Sequence, residues 1–336
     1  MTPVVTVLMS VYNSAATVGA TVESILAQTF ADFEFLIVDD ASTDESAQVL
    51  AGYDDPRLRI VRNERNLGLT ASLNRGLEMA QGTFIARMDA DDVSRPRRLA
   101  KQVAYLNANP DVGMVGSWVQ TIGERNEVWR YPTRHEDIRA EMLFNAVHVH
   151  STVMLRREVL EKHNLHYDER LLRAQDYDLW ARLGKVTRLA NLPETLVEYH
   201  LHKGQVGARH EHDQQATASG IRRRLLELMG LAPQDDDMTL HHEISAGKSE
   251  TSVEYLARVR EWLELIRGAN KDEGQYQAAA LDRALGRRWA RLCRRATGLG
   301  PIAWQTFRAS RLSRASGLNA FQLAKFWLAC QLRRGA

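Results

Sequence analysis

Short apolar runs that end in aspartate alternate with helix-spaced segments through the first hundred residues, and this alternation restricts the chain more than any other feature. Val4 to Met9 is the first run and Phe33 to Val38, followed by Asp39 and Asp40, the second. Leu58 to Val61 is the third, and Thr83 to Met88, followed by Asp89, Asp91 and Asp92, the fourth. Between them, Val18, Val22, Ile25 and Leu26 mark one helical face. A helix carrying Ala47, Val49 and Leu50 has Ser42 as its expected N-cap, with Glu45 placed as in a capping box, and Leu69 to Ala80 gives a third helix that Gly82 ends. Parallel strands need crossover connections, so the expected fold is α/β: a Rossmann-like, mostly parallel sheet flanked by helices. In such sheets ligands bind at the carboxyl ends of strands, where these aspartates gather.

At a strand end, Asp89 and Asp91 are two residues apart, so continued strand geometry turns both carboxylates one way and Asp92 the other. Clustered carboxylates repel unless a cation sits among them. A divalent ion such as Mg²⁺ or Mn²⁺, held by one or two carboxylates and completed by substrate phosphates, meets that need; a solvated acidic turn is the plainer alternative. No G-x-G-x-x-G follows a strand, and Gly247-Lys-Ser lacks the glycine five residues earlier that a phosphate loop requires, since position 242 is His.

With 336 residues, the chain suits two modest domains, or one large domain with an appendage. Its 44% hydrophobic and 26% charged residues exclude wholesale disorder and a membrane-embedded chain. The N-terminal residues lack the pattern of a signal peptide and no apolar run is long enough to span a bilayer, so the cytoplasm is the expected compartment. Cys293 and Cys330 are expected to be free thiols. Strand signals (113–119, 152–155, 195–199) and helices near 138–144 and 176–183 continue to about residue 205. Beyond 210 helical patterns take over, with 232–237 reading as a linker. The expected division is therefore 1–210 as an α/β catalytic domain and 211–336 as a helical extension.

In order along the chain stand Val5-Thr-Val-Leu-Met-Ser-Val-Tyr-Asn13, Ser24-Ile-Leu-Ala-Gln-Thr-Phe30, Glu34-Phe-Leu-Ile-Val-Asp-Asp40 with Ser42-Thr-Asp44, Asn66-Leu-Gly68 and Met88-Asp-Ala-Asp-Asp92. Later come Gln175-Asp-Tyr-Asp-Leu-Trp180 and Tyr199-His-Leu-His-Lys-Gly-Gln205. On these motifs residues 3–210 resemble the family 2 glycosyltransferases of the GT-A fold, as found in bacterial polysaccharide assembly. The resemblance implies inverting transfer of a sugar from a nucleotide donor, UDP-linked by expectation, to a saccharide or lipid-linked acceptor. It places Ser10 and Tyr12 beside the base, Asp40 on the uracil or its equivalent, Asp89 near the ribose, and Asp91 on a divalent metal bound to the diphosphate. It makes Asp176 the base that takes the acceptor proton, gives His150 a role in positioning donor or acceptor, and offers His202 as a further metal ligand. Gln175 stands where many members have Glu, which removes a charge beside the base. Asp178, two residues on, is a rival base; Asp40 as the side-chain acceptor of an Asx turn, and Asp176 and Asp178 as mere N-terminal helix acids, are the plainer alternatives.

His148 and His150 are read as alternating on a strand, His241 and His242 as solvated, and Trp180 as core, with Trp118 and Trp129 left between core and sugar stacking. Residues 281–336 carry twelve Arg or Lys against one acid, a net +11 that leaves −9 for the rest of a chain whose total is +2. Because Trp289, Trp304, Phe307, Leu312, Phe321, Phe326, Trp327 and Leu328 are interleaved with these charges, the segment reads as an amphipathic tail on an anionic membrane surface; a packed basic subdomain or a partner-binding helix are the alternatives. Nucleic acid is not an expected partner, because no recognition motif accompanies the charge. The competing functions are a nucleotidyltransferase, disfavoured by the absence of a Gly-rich basic loop, and an inert membrane-associated scaffold, disfavoured by the intact Asp40, Asp89, Asp91 and Asp176.

Overall fold

The computed structural model describes residues 2–201, 211–247 and 252–332. The chain forms two compact units, Met1–Ile138 with Ala146–Thr217, and Arg139–Asn145 with Ala218–Ala336. The seven residues from Arg139 to Asn145 thus belong with the helical unit, which a single cut near 210 does not provide for.

In the first unit the expected alternation is present as β1 (Val5–Val11), α1 (Val18–Leu26), β2 (Phe33–Asp39), α2 (Ser46–Ala51), β3 (Leu58–Arg62), α3 (Leu69–Met79) and β4 (Phe84–Met88). It continues through β5 (Val93–Ser94), α4 (Arg98–Ala108), β6 (Val112–Gly123), β7 (Val128–Trp129), α5 (His135–Met142), β8 (Met154–Arg156), α6 (Arg157–Lys162), α7 (Gln175–Leu183) and β9 (Arg188–Leu201). The sheet order is β3-β2-β1-β4-β8-β6-β9-β5, with β7 on β6. β3, β2, β1 and β4 are mutually parallel, and β8 runs antiparallel to both β4 and β6.

β1 is buried at every position, which explains why apolar residues occupy both of its faces: both faces of a parallel sheet are covered. Val5, Val7, Met9 and Val11 join Phe35, Ile37, Ala86 and Met88 in a core with Val18, Val22 and Ile25 of α1 and Leu99 and Val103 of α4. On the opposite face Leu8 approaches α3 so closely that a Cβ at Gly76 would lie 2.2 Å from its Cδ1, so any larger residue there must displace the Leu8 side chain. Ser42 does not cap α2, whose N-cap is Glu45; its hydroxyl instead accepts the Asn13 N–H at 3.1 Å.

The second unit contains most of α8 (Glu211–Glu227), then α9 (Asp235–Ala246), α10 (Val253–Glu273), α11 (Ala278–Arg295), α12 (Pro301–Ala309) and α13 (Ala320–Leu332). The expected linker at 232–237 is partly helix, since α9 starts at Asp235 in a capping box made by Gln234 and Asp237. His241 is fully buried rather than solvated: its ring stacks on Phe144 at 4.6 Å, and its Nδ1 accepts from Trp262 Nε1 at 3.1 Å. That leaves Nε2–H to donate to the Leu143 carbonyl at 2.8 Å, and burial lowers the imidazole pKa to about 3. Beside it Arg288 lies over the Phe144 ring at 3.6 Å and pairs with Glu141, which also takes Arg287.

The basic tail is not one surface segment. Trp289, Leu292, Phe307, Leu312 and Phe326 are buried, and Trp304, Phe307 and Phe326 lie 5.4–5.8 Å apart as a ring cluster that joins α12 to α13. Helical spacing reported amphipathic helices correctly, but most of their apolar faces are turned inward. Both cysteines are free and buried.

Candidate active site

Two loops at the carboxyl ends of β1 and β2 are tied together. Asn13, held at a positive φ of 50°, accepts at its Oδ1 the N–H groups of Thr43 at 2.8 Å and Asp44 at 3.3 Å, while Asp44 accepts the Ala15 N–H at 3.0 Å. This lacing holds Ser10, which is buried, next to Tyr12, whose ring is 48% exposed. Asp40 anchors a third loop: its Oδ1 accepts from Asn63 Nδ2 at 2.7 Å and from the Leu67 N–H at 2.8 Å, and its Oδ2 accepts the Gly68 N–H at 2.9 Å. Gly68 sits at φ 89° in the N-cap of α3, a conformation that disfavours side chains. Three donors leave room for one more on a carboxylate with about four lone-pair positions.

The chain turns sharply after β4, so the strand geometry does not persist to Asp91. Asp89 and Asp92 share a partner: Ser151 is 2.6 Å from Asp89 Oδ2 and also hydrogen-bonds Asp92, whose other oxygen accepts the His200 N–H at 2.9 Å. One hydroxyl proton cannot serve two carboxylates, so a proton on Asp92 completes the set. The electrostatics agree. Burial, then the charges of Asp89 and Asp91, push Asp92 well above the ordinary carboxyl value. Burial also works to raise Asp89, but the charge of Arg87 first, and the Ser151 hydrogen bond, bring it below that value.

Two buried arginines stand behind this turn. Arg87 is 1% exposed and its Nη2 lies 2.5 Å from Asp89 Oδ1. Arg98 donates to the carbonyls of Arg87 at 2.7 Å and Val153 at 3.3 Å and to Gln102 at 3.1 Å; burial, then Arg87, lowers its pKa to about 9.

Asp176 is the second residue of α7, preceded by Ala174 in the left-handed region at φ 51°. Burial raises its pKa; the Tyr177 N–H opposes that, the charge of Asp89 adds to it, and Arg87 opposes it. Asp178 is different: buried, it pairs with Arg182 at 2.8 Å, and Arg182 also donates to the His166 carbonyl at 2.7 Å. The segment before α7 is clamped by Asn74 of α3, whose Nδ2 donates to the Tyr167 carbonyl at 2.9 Å and whose Oδ1 accepts the Tyr167 N–H at 2.9 Å. Tyr167 in turn places its hydroxyl 2.8 Å from His150 Nε2. His150 lies in a short 3-10 turn, not on a strand, because β8 begins only at Met154. Burial and then Arg87 lower its pKa to about 3, so its ring is neutral. Trp180 is core, edge-on to both His150 and Tyr167.

Residues 6–163 match the family model described as Glycosyl transferase family 2. An uncharacterized glycosyltransferase of Haemophilus influenzae is 34% identical over 235 residues, 66% of this chain and 72% of that protein. The chain belongs to glycosyltransferase family 2. A second relative from Escherichia coli, UDP-Glc:alpha-D-GlcNAc-diphosphoundecaprenol beta-1,3-glucosyltransferase WfgD, is 28% identical over 181 residues, covering 54% of this chain and 70% of its own. Among solved structures, S. aureus TarS 1-349 in complex with UDP-GlcNAc superposes with a TM-score of 0.58 at 18% identity over 93% of this chain and 89% of that chain, which supports the GT-A-like fold.

In this glycosyltransferase Asp89, His150 and Asp176 form one electrostatic neighbourhood with Arg87, while Ser10, Tyr12 and Asp40 belong to the laced loops. Asp91 lies in the turn itself, and His202 lies outside the described residues. Among the described residues no three His, Cys, Asp or Glu side chains form a preformed metal cage. A Mg²⁺ or Mn²⁺ that arrives with a diphosphate needs only one or two carboxylates, its remaining positions being phosphate and water oxygens. The hard oxygen donors of Asp91, with Asp89 two residues before it, fit that requirement. Sequence reasoning missed Arg87, Ser151, Asn74 and Tyr167. Of these only Arg87 carried a signal, a charge inside the apolar run Phe84-Ile-Ala-Arg-Met88.

Proposed function

We propose that this glycosyltransferase moves a sugar, with inversion, from a UDP-linked donor to a saccharide or lipid-linked acceptor in cell-surface polysaccharide assembly, at the inner face of the plasma membrane. The observation that carries the reading is Asp176: it has no cationic side-chain partner among the described residues, its basicity is raised by burial, and it shares a field with Asp89. The names of WfgD, with UDP-Glc, a diphosphoundecaprenol acceptor and a β linkage, and of TarS with UDP-GlcNAc support the donor class and the lipid-linked alternative.

In this mechanism the acceptor hydroxyl oxygen forms a bond to the anomeric carbon on the face opposite the diphosphate, the bond from that carbon to the diphosphate oxygen breaks, and the hydroxyl proton passes to Asp176. A carboxylate with raised pKa is the better base for this step. Ser10, Tyr12 and the remaining acceptor position of Asp40 hold the base, and Asp89, kept ionised by Arg87, faces the ribose. His150, neutral and held by Tyr167, offers a hydrogen bond to donor or acceptor without adding charge. A divalent metal on Asp91, with His202 as a further candidate ligand, would stabilise negative charge on the departing diphosphate.

Mn²⁺-dependent release of UDP from a panel of UDP-sugars, with acceptor saccharides and polyprenyl-linked sugars, tests this reading. No turnover with any donor, or full activity in both Asp91→Asn and Asp176→Asn, would reject it.

A further inference from the structure

The last helix has two apolar faces and uses only one. On α13, Phe326 and Cys330 are the buried positions, one turn apart, and Phe326 is held by the ring cluster with Trp304 and Phe307. On its opposite side Phe321, Leu328 and Leu332 follow at seven and then four residues, which places them on one face. Phe321 and Leu332 are each 76% exposed and Leu328 is 49% exposed, with Trp327 at 46% on the flank. The single charge of the helix, Lys325, stands within that outer stripe. A cluster of exposed large side chains on one helix face marks a docking surface.

The charge of the same unit limits what can dock. The described part of the tail, 281–332, carries ten Arg or Lys and one acid, Asp282, and that acid is taken by Arg267 at 2.7 Å. Two neighbouring clefts of about 380 and 500 Å³ share Arg267 and Arg311 in their walls. They are also lined by Arg260, Lys271 and Arg314, and none of Arg260, Lys271, Arg311 and Arg314 has an acidic partner among the described residues. Glu264, the other acid there, is engaged by Arg267 and Ser310. A second copy of this surface would bring like charges together, which disfavours self-association. An occupant with an apolar interior and an anionic, phosphate-bearing face satisfies both features.

We propose that the helical unit docks on an anionic phospholipid bilayer, with Phe321, Leu328 and Leu332 of α13 entering the acyl boundary and Arg260, Lys271, Arg311 and Arg314 taking lipid phosphates. This deepens the membrane part of the function proposed above and moves it from the whole tail to one helix face and four cations, two of which, Arg260 and Lys271, precede the tail. No helix among the described residues is long and apolar enough to cross a membrane. The attachment is therefore interfacial, and its strength follows buried apolar area together with charge attraction.

Flotation of the full chain with vesicles of phosphatidylcholine, with and without phosphatidylglycerol, tests the proposal. The expected result is strong flotation with the anionic vesicles and little with the neutral ones. The triple change Phe321→Ser, Leu328→Ser, Leu332→Ser should weaken binding at least about tenfold. Arg311→Ala and Arg314→Ala should each weaken it about fivefold and lessen its salt dependence. Absence of flotation, flotation unchanged by the triple substitution, or a sedimenting dimer that this substitution dissociates would overturn it; the last would make a second copy the occupant. All these side chains are largely exposed, and unchanged thermal midpoints would show that the variants fold. Turnover of UDP-sugars without vesicles is read separately, so loss of catalysis and loss of lipid binding are distinguishable.

Discussion

The guanidinium of Arg87 lies 2.5 Å from the carboxylate of Asp89, yet among the described residues its Nε, Nη1 and Nη2 have no hydrogen-bond partner of good geometry. A buried arginine without well-directed hydrogen bonds serves through its charge, and its position beneath Asp89, His150 and Asp176 sets the field of the site. Arg87→Met leaves Asp89 beside Asp92 without a countercharge. Because Arg87 is buried but the Asp89 side chain is 30% exposed, the expected cost is about 3 kcal/mol of stability, the lower end of the range for one partner removed from a buried pair. Arg87→Lys keeps the charge and should recover part of the loss. Urea unfolding and sugar-transfer rates of the two variants check this; equal stability of Met and wild type would refute it.

Asp176→Asn should lower turnover by about 10²–10⁴-fold, the usual worth of a general base, while leaving donor affinity unchanged. Asp178→Asn should instead lower the unfolding midpoint, because it frees Arg182 from a buried carboxylate. Isothermal titration with UDP and steady-state kinetics separate the two. The acidic limb of the rate profile should lie above the ordinary carboxyl value of 3.8, since the proposed base Asp176 must be ionised to take a proton and its pKa is raised.

Asn74→Ala removes two hydrogen bonds that hold the Tyr167 backbone and should cost about 2 kcal/mol at about 1 kcal/mol each. Tyr167 then loses its hold on His150, so KM should rise along with the fall in stability. A restored KM in Asn74→Asp, which keeps the acceptor, would attribute the effect to the Tyr167 N–H.

Stability should fall with acid through His241. Its pKa is about 3 in the folded chain against 6.5 in the unfolded one, so between those values only the unfolded state takes up the proton. The contribution is complete above pH 6.5 and is lost as pH falls toward 3, by about 2 kcal/mol between pH 7 and pH 5. Denaturant titrations at the two pH values measure the loss in wild type, and in His241→Gln it should be smaller by that amount.

The alternating sheet and the aspartates at its strand ends were legible because strand and helix periods are local, and each apolar run closed on an acid. The partners of those acids were not, since Ser151, Asn74 and Tyr167 reach the site from distant positions in the chain. Asp40 shows the limit well: its motif pointed to the nucleotide, while what the structure shows is three donors from residues 63–68 by which it builds the loop. His241 and the aromatics of the tail misled for a common reason. Periodicity reveals that a face is apolar but not whether protein or another phase covers it, and only the packing of Phe144 and Trp304 decides.

Residues 139–145 have a consequence for synthesis. Phe144 and Leu143, which receive His241, leave the ribosome long before α9 to α13 exist. At about 5–20 residues per second the nascent catalytic unit must carry that apolar stretch for on the order of ten seconds or more. A polypeptide stopped after Thr217 would lack His241 and so leave the Phe144 ring without the imidazole that stacks on it.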